Sequence, residues 1–377
     1  MHFNDVFLQE LHARQSMPFV EFMHLALYHP ICGYYSSELP KIGLEGDFIT
    51  APHLTPLFGY TVATQCQDVL STLSDPIIFE FGAGLGRLCV DVLKHLERLE
   101  SLPKTYQILE VSGFLKQKQQ ELIQQEIPHL ASKIEWLSSW PQKSFSGVIL
   151  ANEVLDAMPV HRFLQTDEDL FELHVGLDAT QQLTLIPQKC DNPKLLEYIK
   201  NALPPFEGVY QSEANLFLDD WLKQCSQMLE TGLFLIFDYG FPRLEYYHPD
   251  RNQGTIMCHE RHKSHVNALL NPGRQDITAH VDFTHVAEAA YDAGFKIAGY
   301  TSQAAFLLAN GLLDLVTEQQ NQFIALHQEP KRLRLQQAIR QLLQPEEMGE
   351  LFKVMGLTRN FDAPLRGFLM QDKRRTL

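Results

Sequence analysis

Acidic side chains and glycines that could hold and orient a ligand gather in a few short stretches of the sequence. Glu80 lies in an apolar run, Ile77-Ile78-Phe79-Glu80-Phe81, that breaks into Gly82-Ala83-Gly84-Leu85-Gly86. Gly82, Gly84 and Gly86 let the backbone turn sharply and let a ligand approach without meeting a Cβ. Glu110 follows a second apolar run, Tyr106-Gln107-Ile108-Leu109. A carboxylate there can accept both ribose hydroxyls of an adenosine. The spacing is E-x-G-x-G-x-G and departs from the dinucleotide fingerprint G-x-G-x-x-G, whose third glycine would stand at Arg87. The glycine turn between two apolar runs, with the acid after the second, predicts a nucleotide-type ligand.

A second set of acids follows a later apolar run. Phe145-Ser146-Gly147-Val148-Ile149-Leu150 leads into Ala151-Asn152-Glu153-Val154-Leu155-Asp156. Glu153 and Asp156 are three apart, so on a helical turn both would face one way. Two carboxylates together suit a guanidinium, whose planar fork pairs with carboxylates in bidentate fashion. The competing reading has Asp156 capping a short helix and Glu153 ending a loop in solvent. His280, in Asp276-Ile277-Thr278-Ala279-His280-Val281-Asp282-Phe283, either reaches a substrate or merely precedes a helix capped by Asp282. His259, His262 and His265 do not have a zinc spacing, and Arg261 and Lys263 between them would repel a cation, so no metal is expected.

These residues need a scaffold, and the hydrophobic pattern supplies one. Runs at 77–81, 106–109, 134–137, 145–150 and 232–240 read as parallel strands, separated by helical patterns at 87–99, 114–125 and 214–228. That alternation predicts an α/β fold with a doubly wound sheet. Ligands then bind at the C-terminal ends of the strands, where Glu80, Glu110, Leu137, Asn152, Glu153, Asp156 and Asp238 fall. Residues 3–27 read as helix, with Ser16 suited to cap its second half before Pro18. Residues 43–52 form a loop rich in Gly, Asp, Thr and Pro that holds Asp47, and 58–73 form a buried helix. Strand-like pieces at 170–177 and 183–186 lie in a weakly patterned insertion. Residues 241–279 read as a long loop without regular structure. A helix at 283–293, a strand at 295–301, helices over 303–343 and a last strand at 351–357 complete the chain.

Composition excludes several classes. The chain has 377 residues, 45% hydrophobic and 20% charged, as ordinary globular proteins have. No apolar run approaches a membrane span, and the first residues do not read as a secretory signal or transit peptide. The cytoplasm is therefore the expected location. The six cysteines are scattered with no C-x-x-C pair and read as reduced, buried thiols. A net charge of −15 argues against non-specific binding to nucleic acid and suits a cationic acceptor.

Taken in order, the motifs resemble the MidA-like S-adenosyl-L-methionine (SAM)-dependent methyltransferases. This bacterial and mitochondrial family includes the arginine methyltransferase that acts on a core subunit of respiratory complex I. The matching residues are Tyr28-His29-Pro30, Gly33-Tyr34-Tyr35, Gly46-Asp47-Phe48-Ile49-Thr50-Ala51-Pro52, Phe58-Gly59 and Glu80 through the three glycines. They continue with Ala151-Asn152-Glu153-Val154-Leu155-Asp156-Ala157-Met158-Pro159-Val160, Phe237-Asp238-Tyr239-Gly240, Gly254-Thr255 and Asp276 through Phe283. The resemblance implies a class I, Rossmann-like methyltransferase core with a mostly parallel seven-stranded sheet. It implies an N-terminal helical segment (1–75), a core in two halves (76–162 and 214–302), an inserted lid (163–213) and C-terminal helices with the last strand (303–377). It implies SAM as donor and S-adenosylhomocysteine as product. Glu80, Gly82, Gly84, Gly86, Glu110, Leu137 and Asn152 would hold the donor. Glu153, Asp156, His280 and Asp47 would serve the acceptor, an arginine of a protein substrate. A small-molecule methyltransferase and a non-catalytic SAM-binding assembly factor are the alternatives, and a homodimer is left open. One departure stands out: Glu110-Val111-Ser112-Gly113-Phe114 lacks the proline expected after the serine, which reads as a local change in the helix start.

Overall fold

The computed structural model describes residues 3–12, 14–36, 50–205, 207–260 and 263–377. The chain divides into two compact units. The first comprises Ile49–Val154, Trp221–Gly240 and Ala287–Leu377; the second comprises Met1–Phe48, Leu155–Asp220 and Phe241–Val286.

The first unit is built on seven strands: β1 (Ile77–Phe81), β2 (Thr105–Leu109), β3 (Ile134–Leu137), β4 (Phe145–Asn152), β5 (Leu229–Phe241), β6 (Lys296–Ser302) and β7 (Phe352–Arg359). Their order across the sheet is β6-β7-β5-β4-β1-β2-β3. The pairs β5–β4, β4–β1, β1–β2 and β2–β3 are parallel, and β7 runs antiparallel to both β5 and β6. The strand order reverses between β1 and β4, which is the switch point where open α/β sheets bind ligands. Helices α1 (Pro56–Leu70), α2 (Arg87–Arg98) and α3 (Gly113–Glu126) belong to the same unit. Thr55 starts α1 by accepting a hydrogen bond from Leu57 N, and Pro56 suits the first helical position. Val62 and Cys66 of α1 and Val92 and Leu96 of α2 are buried in one cluster with Ile78, Ile108, Val148 and Leu235 of the sheet. Each such side chain contributes roughly 1.5–3 kcal/mol of burial energy.

The second unit carries an antiparallel sheet in the order Ser16–Pro18, Leu170–Leu177, His161–Gln165, Tyr210–Ala214, with Leu183–Lys189 also paired to Leu170–Leu177. A smaller sheet orders Lys263–His265, Met257–Glu260 and Asp276–Thr278. Helices Phe3–His12 and Phe19–Tyr28 pack Phe3, Phe7, Phe22 and Met23 into a core with Val175 and Ile277. Among the described residues no helix is long and apolar enough to cross a membrane.

Three expectations are corrected here. Residues 3–27 are two helices, because Ser16–Pro18 gives its backbone to Leu170–Leu177 as a strand. Residues 214–228 begin as the end of strand Tyr210–Ala214, and the helix starts at Leu218. The stretch 241–279 is not a bare loop, since it contains the three-stranded sheet.

The start of the parallel sheet is unusually tight. Gly147 in β4 lies between Ile77 and Gly232 of the neighbouring strands, with φ +153°. A Cβ on it would stand 1.8 Å from Ile77 O, so only glycine keeps this register. Gly147→Ala is expected to lower the unfolding free energy by more than about 3 kcal/mol, read from the urea transition; a variant within about 1 kcal/mol of wild type would contradict that packing.

Candidate functional site

The C-terminal ends of β1 to β4 carry the first group of site residues. Glu80 is only 2% exposed and accepts a 2.8 Å hydrogen bond from the Tyr106 hydroxyl. The chain then leaves β1 through Gly82, Gly84 and Gly86, at φ +54°, +53° and +85°. Gly82 N donates to Leu109 O at 3.1 Å, which ties the turn to the end of β2. A Cβ on Gly82 would meet no atom of the described residues within 4 Å, which leaves room among them for a ligand beside the turn. Gly86 caps α2 in a left-handed conformation, and its missing side chain admits Gln119 of α3, whose Cα would be 3.3 Å from a Cβ.

Gln119 is fully buried and joins three pieces of this rim. Its amide nitrogen donates to Gly84 O and to Glu110 Oε2, each at 2.9 Å. Its amide oxygen accepts from Trp136 Nε1 at 2.8 Å. Glu110 Oε1 accepts from Ser112 N at 2.9 Å. These bonds orient both oxygens of Glu110 at the end of β2. Ser112 caps α3 by accepting from Leu115 N, so the helix starts at Gly113 without the expected proline. Leu137 ends β3 opposite Leu109 and is half-buried on the same rim.

On the other side of the switch point, Asn152 ends β4 opposite Phe237 of β5 and donates its amide to Glu153 Oε1 at 3.1 Å. Glu153 N donates to Phe237 O at 2.8 Å, and the residue has φ +53°. A non-glycine residue held left-handed costs of order 1 kcal/mol or more and persists where surrounding bonds over-determine it. The expected helical turn over Glu153 and Asp156 is absent: Glu153 leaves the strand with reversed φ, and 155–158 form a plain turn closed by Met158 N on Leu155 O. Helical spacing therefore does not align the two acids, and they belong to different units. The reading of Asp156 as a helix cap is removed by the same observation.

In the second unit, Asp156 is buried and its carbonyl accepts from Ala279 N at 2.9 Å, which brings it against the segment that carries His280. His280 is half-buried, its ring 5.2 Å from Phe241, and its N–H donates to Thr255 Oγ1. Tyr35 donates to the buried Asp276 Oδ1 at 3.0 Å and stacks on Tyr28. Burial first, then the charges of Asp276 and Asp156, push the Tyr35 hydroxyl well above its ordinary pKa, so it stays protonated and a donor. Asp282 caps the following helix as expected, accepting from Thr284 N and His285 N. Asp47 lies outside the described residues.

Gln119, Tyr106 and Trp136 were not legible as site residues. Gln119 sits in a run of Lys and Gln whose polar composition hides which residue points inward. Tyr106 and Trp136 read as ordinary strand residues.

The comparisons with known proteins can now be set beside this geometry. The sequence profile of a family described as S-adenosyl-L-methionine-dependent methyltransferases matches residues 61–301. The chain belongs to this family. The human mitochondrial protein arginine methyltransferase NDUFAF7 is 27% identical over 89% of this chain and 79% of its own length. The Drosophila melanogaster mitochondrial homologue is 27% identical over 90% of this chain and 81% of its own. A Burkholderia thailandensis protein crystallised with S-adenosyl-homocysteine superposes with a TM-score of 0.93 at 35% identity, covering 100% of this chain and 96% of that one. The fold is therefore the Rossmann-like class I methyltransferase fold, and the donor is SAM. The room beside Gly82 and the tethered Glu110 fit that donor. The expected cytoplasmic location is corrected by the same relatives, which are mitochondrial proteins; an N-terminus without a readable signal does not fix a compartment.

Glu80 makes the rim sensitive to pH. Burial, opposed by the Tyr106 hydrogen bond and reinforced by the charge of Glu110, pushes its carboxyl from 4.5 up to about 8. The folded chain then holds a proton that the unfolded chain releases above about pH 4.5, so this group's contribution to stability falls as pH rises towards 8 and is flat below that window. Glu80→Gln removes the titration. Its stability relative to wild type is expected to increase between about pH 5.5 and pH 8 in urea unfolding. A difference that does not change with pH would mean that Glu80 is ionised in the folded chain.

Proposed function

We propose that this methyltransferase transfers the methyl group of SAM to a nitrogen of an arginine side chain in a protein. The observation that carries the reading is Glu153. It is a carboxylate at the switch point, held in a strained left-handed conformation by β5 and by the Asn152 amide. Strain of this kind is retained where it serves a site. The names of the relatives, protein arginine methyltransferases similar over most of the chain, support the same acceptor.

When bound, SAM supplies an electrophilic methyl carbon on a sulfonium. The residues of this chain do the rest. Glu110, oriented by Gln119 and Ser112, accepts the ribose hydroxyls. Gly82, Gly84 and Gly86 let the backbone approach the methionine part, towards which Glu80 faces. Leu137 and Asn152 border the donor. Glu153 serves the acceptor from the first unit, and Asp156, His280 and Asp47 keep the acceptor role that the family resemblance implies. A carboxylate holding one edge of the guanidinium fixes its orientation and favours localisation of a lone pair on the attacking nitrogen. Methyl transfer from a sulfonium is a direct displacement, so alignment supplies most of the acceleration, and misplacement by about 1 Å costs ~10²-fold.

Two variants test the assignment. Gly84→Val should abolish binding of SAM and of S-adenosylhomocysteine in isothermal titration, since a branched side chain would force the turn out of its left-handed φ. Glu153→Ala should keep the affinity for S-adenosylhomocysteine within about threefold and lower the transfer rate by ~10²-fold or more. The acceptor is tested by incubating the protein with tritium-labelled SAM and an extract of cells that lack it, followed by acid hydrolysis of the protein fraction. Label in methylarginine is expected. Label confined to small molecules would overturn the protein-acceptor reading.

A further inference from the structure

The second unit carries a groove of about 970 Å³ that the methyl-transfer chemistry does not use. Phe3, Phe7 and Leu8 form one wall, and Leu183, Thr184 and Leu185 run along another. Side chains of a strand alternate between its two faces. A groove lying on one face would touch every second residue. This one is lined by Leu183, Thr184 and Leu185 in succession, together with Leu177 of the paired strand and Gln181 and Gln182 of the connecting turn, so it wraps the end of the hairpin and reaches the edge of strand Leu183–Lys189. That strand pairs with Leu170–Leu177 over its whole length, and among the described residues nothing pairs with its other edge. A free edge offers alternate N–H and C=O groups to an incoming extended chain. Pro187 has no N–H to give, so the usable edge is 183–186. Apolar side chains stay exposed within the lining, Leu8 and Leu270. Exposed apolar groups gathered round a concave surface mark an interaction site.

The charge of the groove selects its occupant. The protein carries a net charge of −15, yet among the described residues no carboxylate lines this groove. Arg274 lines it, is exposed, and its guanidinium has no hydrogen-bond or ion-pair partner among the described residues. The adjoining carboxylate, Glu260, is engaged by Asn271 Nδ2 at 3.0 Å. We propose that the groove takes, as an added strand on residues 183–186, an extended segment of the acceptor protein whose carboxylate pairs with Arg274. This rests on the reading of a protein acceptor. It adds a docking surface, separate from the residues that hold the donor, that recognises a stretch of acceptor chain.

The test uses the full-length protein and three fluorescein-labelled decapeptides of alternating valine and threonine. One has a central aspartate, one a lysine there and one a proline. In fluorescence polarisation the aspartate peptide is expected to bind, the lysine peptide about tenfold more weakly, and the proline peptide not at all, since it cannot complete the strand pairing. Arg274→Glu should reverse the charge preference while leaving S-adenosylhomocysteine affinity unchanged. No binding of the aspartate peptide, or equal binding of all three, overturns the proposal. So does a dimer in sedimentation equilibrium that Arg274→Glu dissolves, which would assign the groove to a second copy of the chain. In the labelled-extract assay Arg274→Glu should reduce incorporation into protein. Unchanged incorporation removes the acceptor from the groove. Peptide binding with no labelled protein from the wild type instead overturns the acceptor reading and leaves the strand-docking surface standing.

Discussion

One buried amide holds the donor side of this site together. Gln119 bonds the glycine turn after β1, the acid after β2 and the tryptophan of β3 at the same time. A side-chain amide has two donors and one acceptor oxygen, and here both kinds of group are engaged inside the fold. Leaving any one of these partners unpaired in a buried setting would cost about 1–3 kcal/mol. The turn, the ribose acid and the edge strand therefore keep a common geometry before any ligand arrives. α3 is placed by the same contact, because Gly86 has no side chain to keep Gln119 away. Pre-organisation of this kind is what a direct displacement needs, since its rate depends on alignment more than on proton transfer.

A second constraint is electrostatic. The site contains the buried Glu80 and, on the neighbouring strand end, Glu110, whose charge adds to the cost of ionising Glu80. Tyr106 compensates in part by donating to Glu80. Two acids therefore belong to this rim. That suits a donor that carries a sulfonium and an ammonium better than one that carries phosphates. It also gives a physical reason why a turn so similar to a dinucleotide fingerprint serves a different ligand.

The parts of this site that could be read from the sequence are those fixed by neighbours along the chain. Glu80, the three glycines and Glu110 belong to one β-α-β stretch, so their spacing already implies one rim. Strands β1, β4 and β5 were legible because buried parallel strands are nearly continuous apolar runs. What could not be read depends on pairing across the chain. Ser16–Pro18 leaves a helical pattern because a strand more than 150 residues away takes its backbone. The helical spacing of Glu153 and Asp156 suggested a shared face, but a single reversed φ at Glu153 ends the strand without starting a helix. Gln119 is one of several glutamines in its helix, and only packing tells which of them is turned inward.

The position of β7 also bears on how the protein is made. It is the last strand in the sequence, yet it lies between β5 and β6 and provides their connection within the sheet. A growing chain can pair β1 to β5 in order of synthesis, but β6 has no place in the sheet until residues 352–359 arrive. Until then β5 presents a long apolar edge, Leu233 through Phe237, to whatever else is in solution. The nascent protein therefore carries an open seam in its sheet until residues 352–359 are made, and an unpaired apolar edge of that kind must be guarded from other chains.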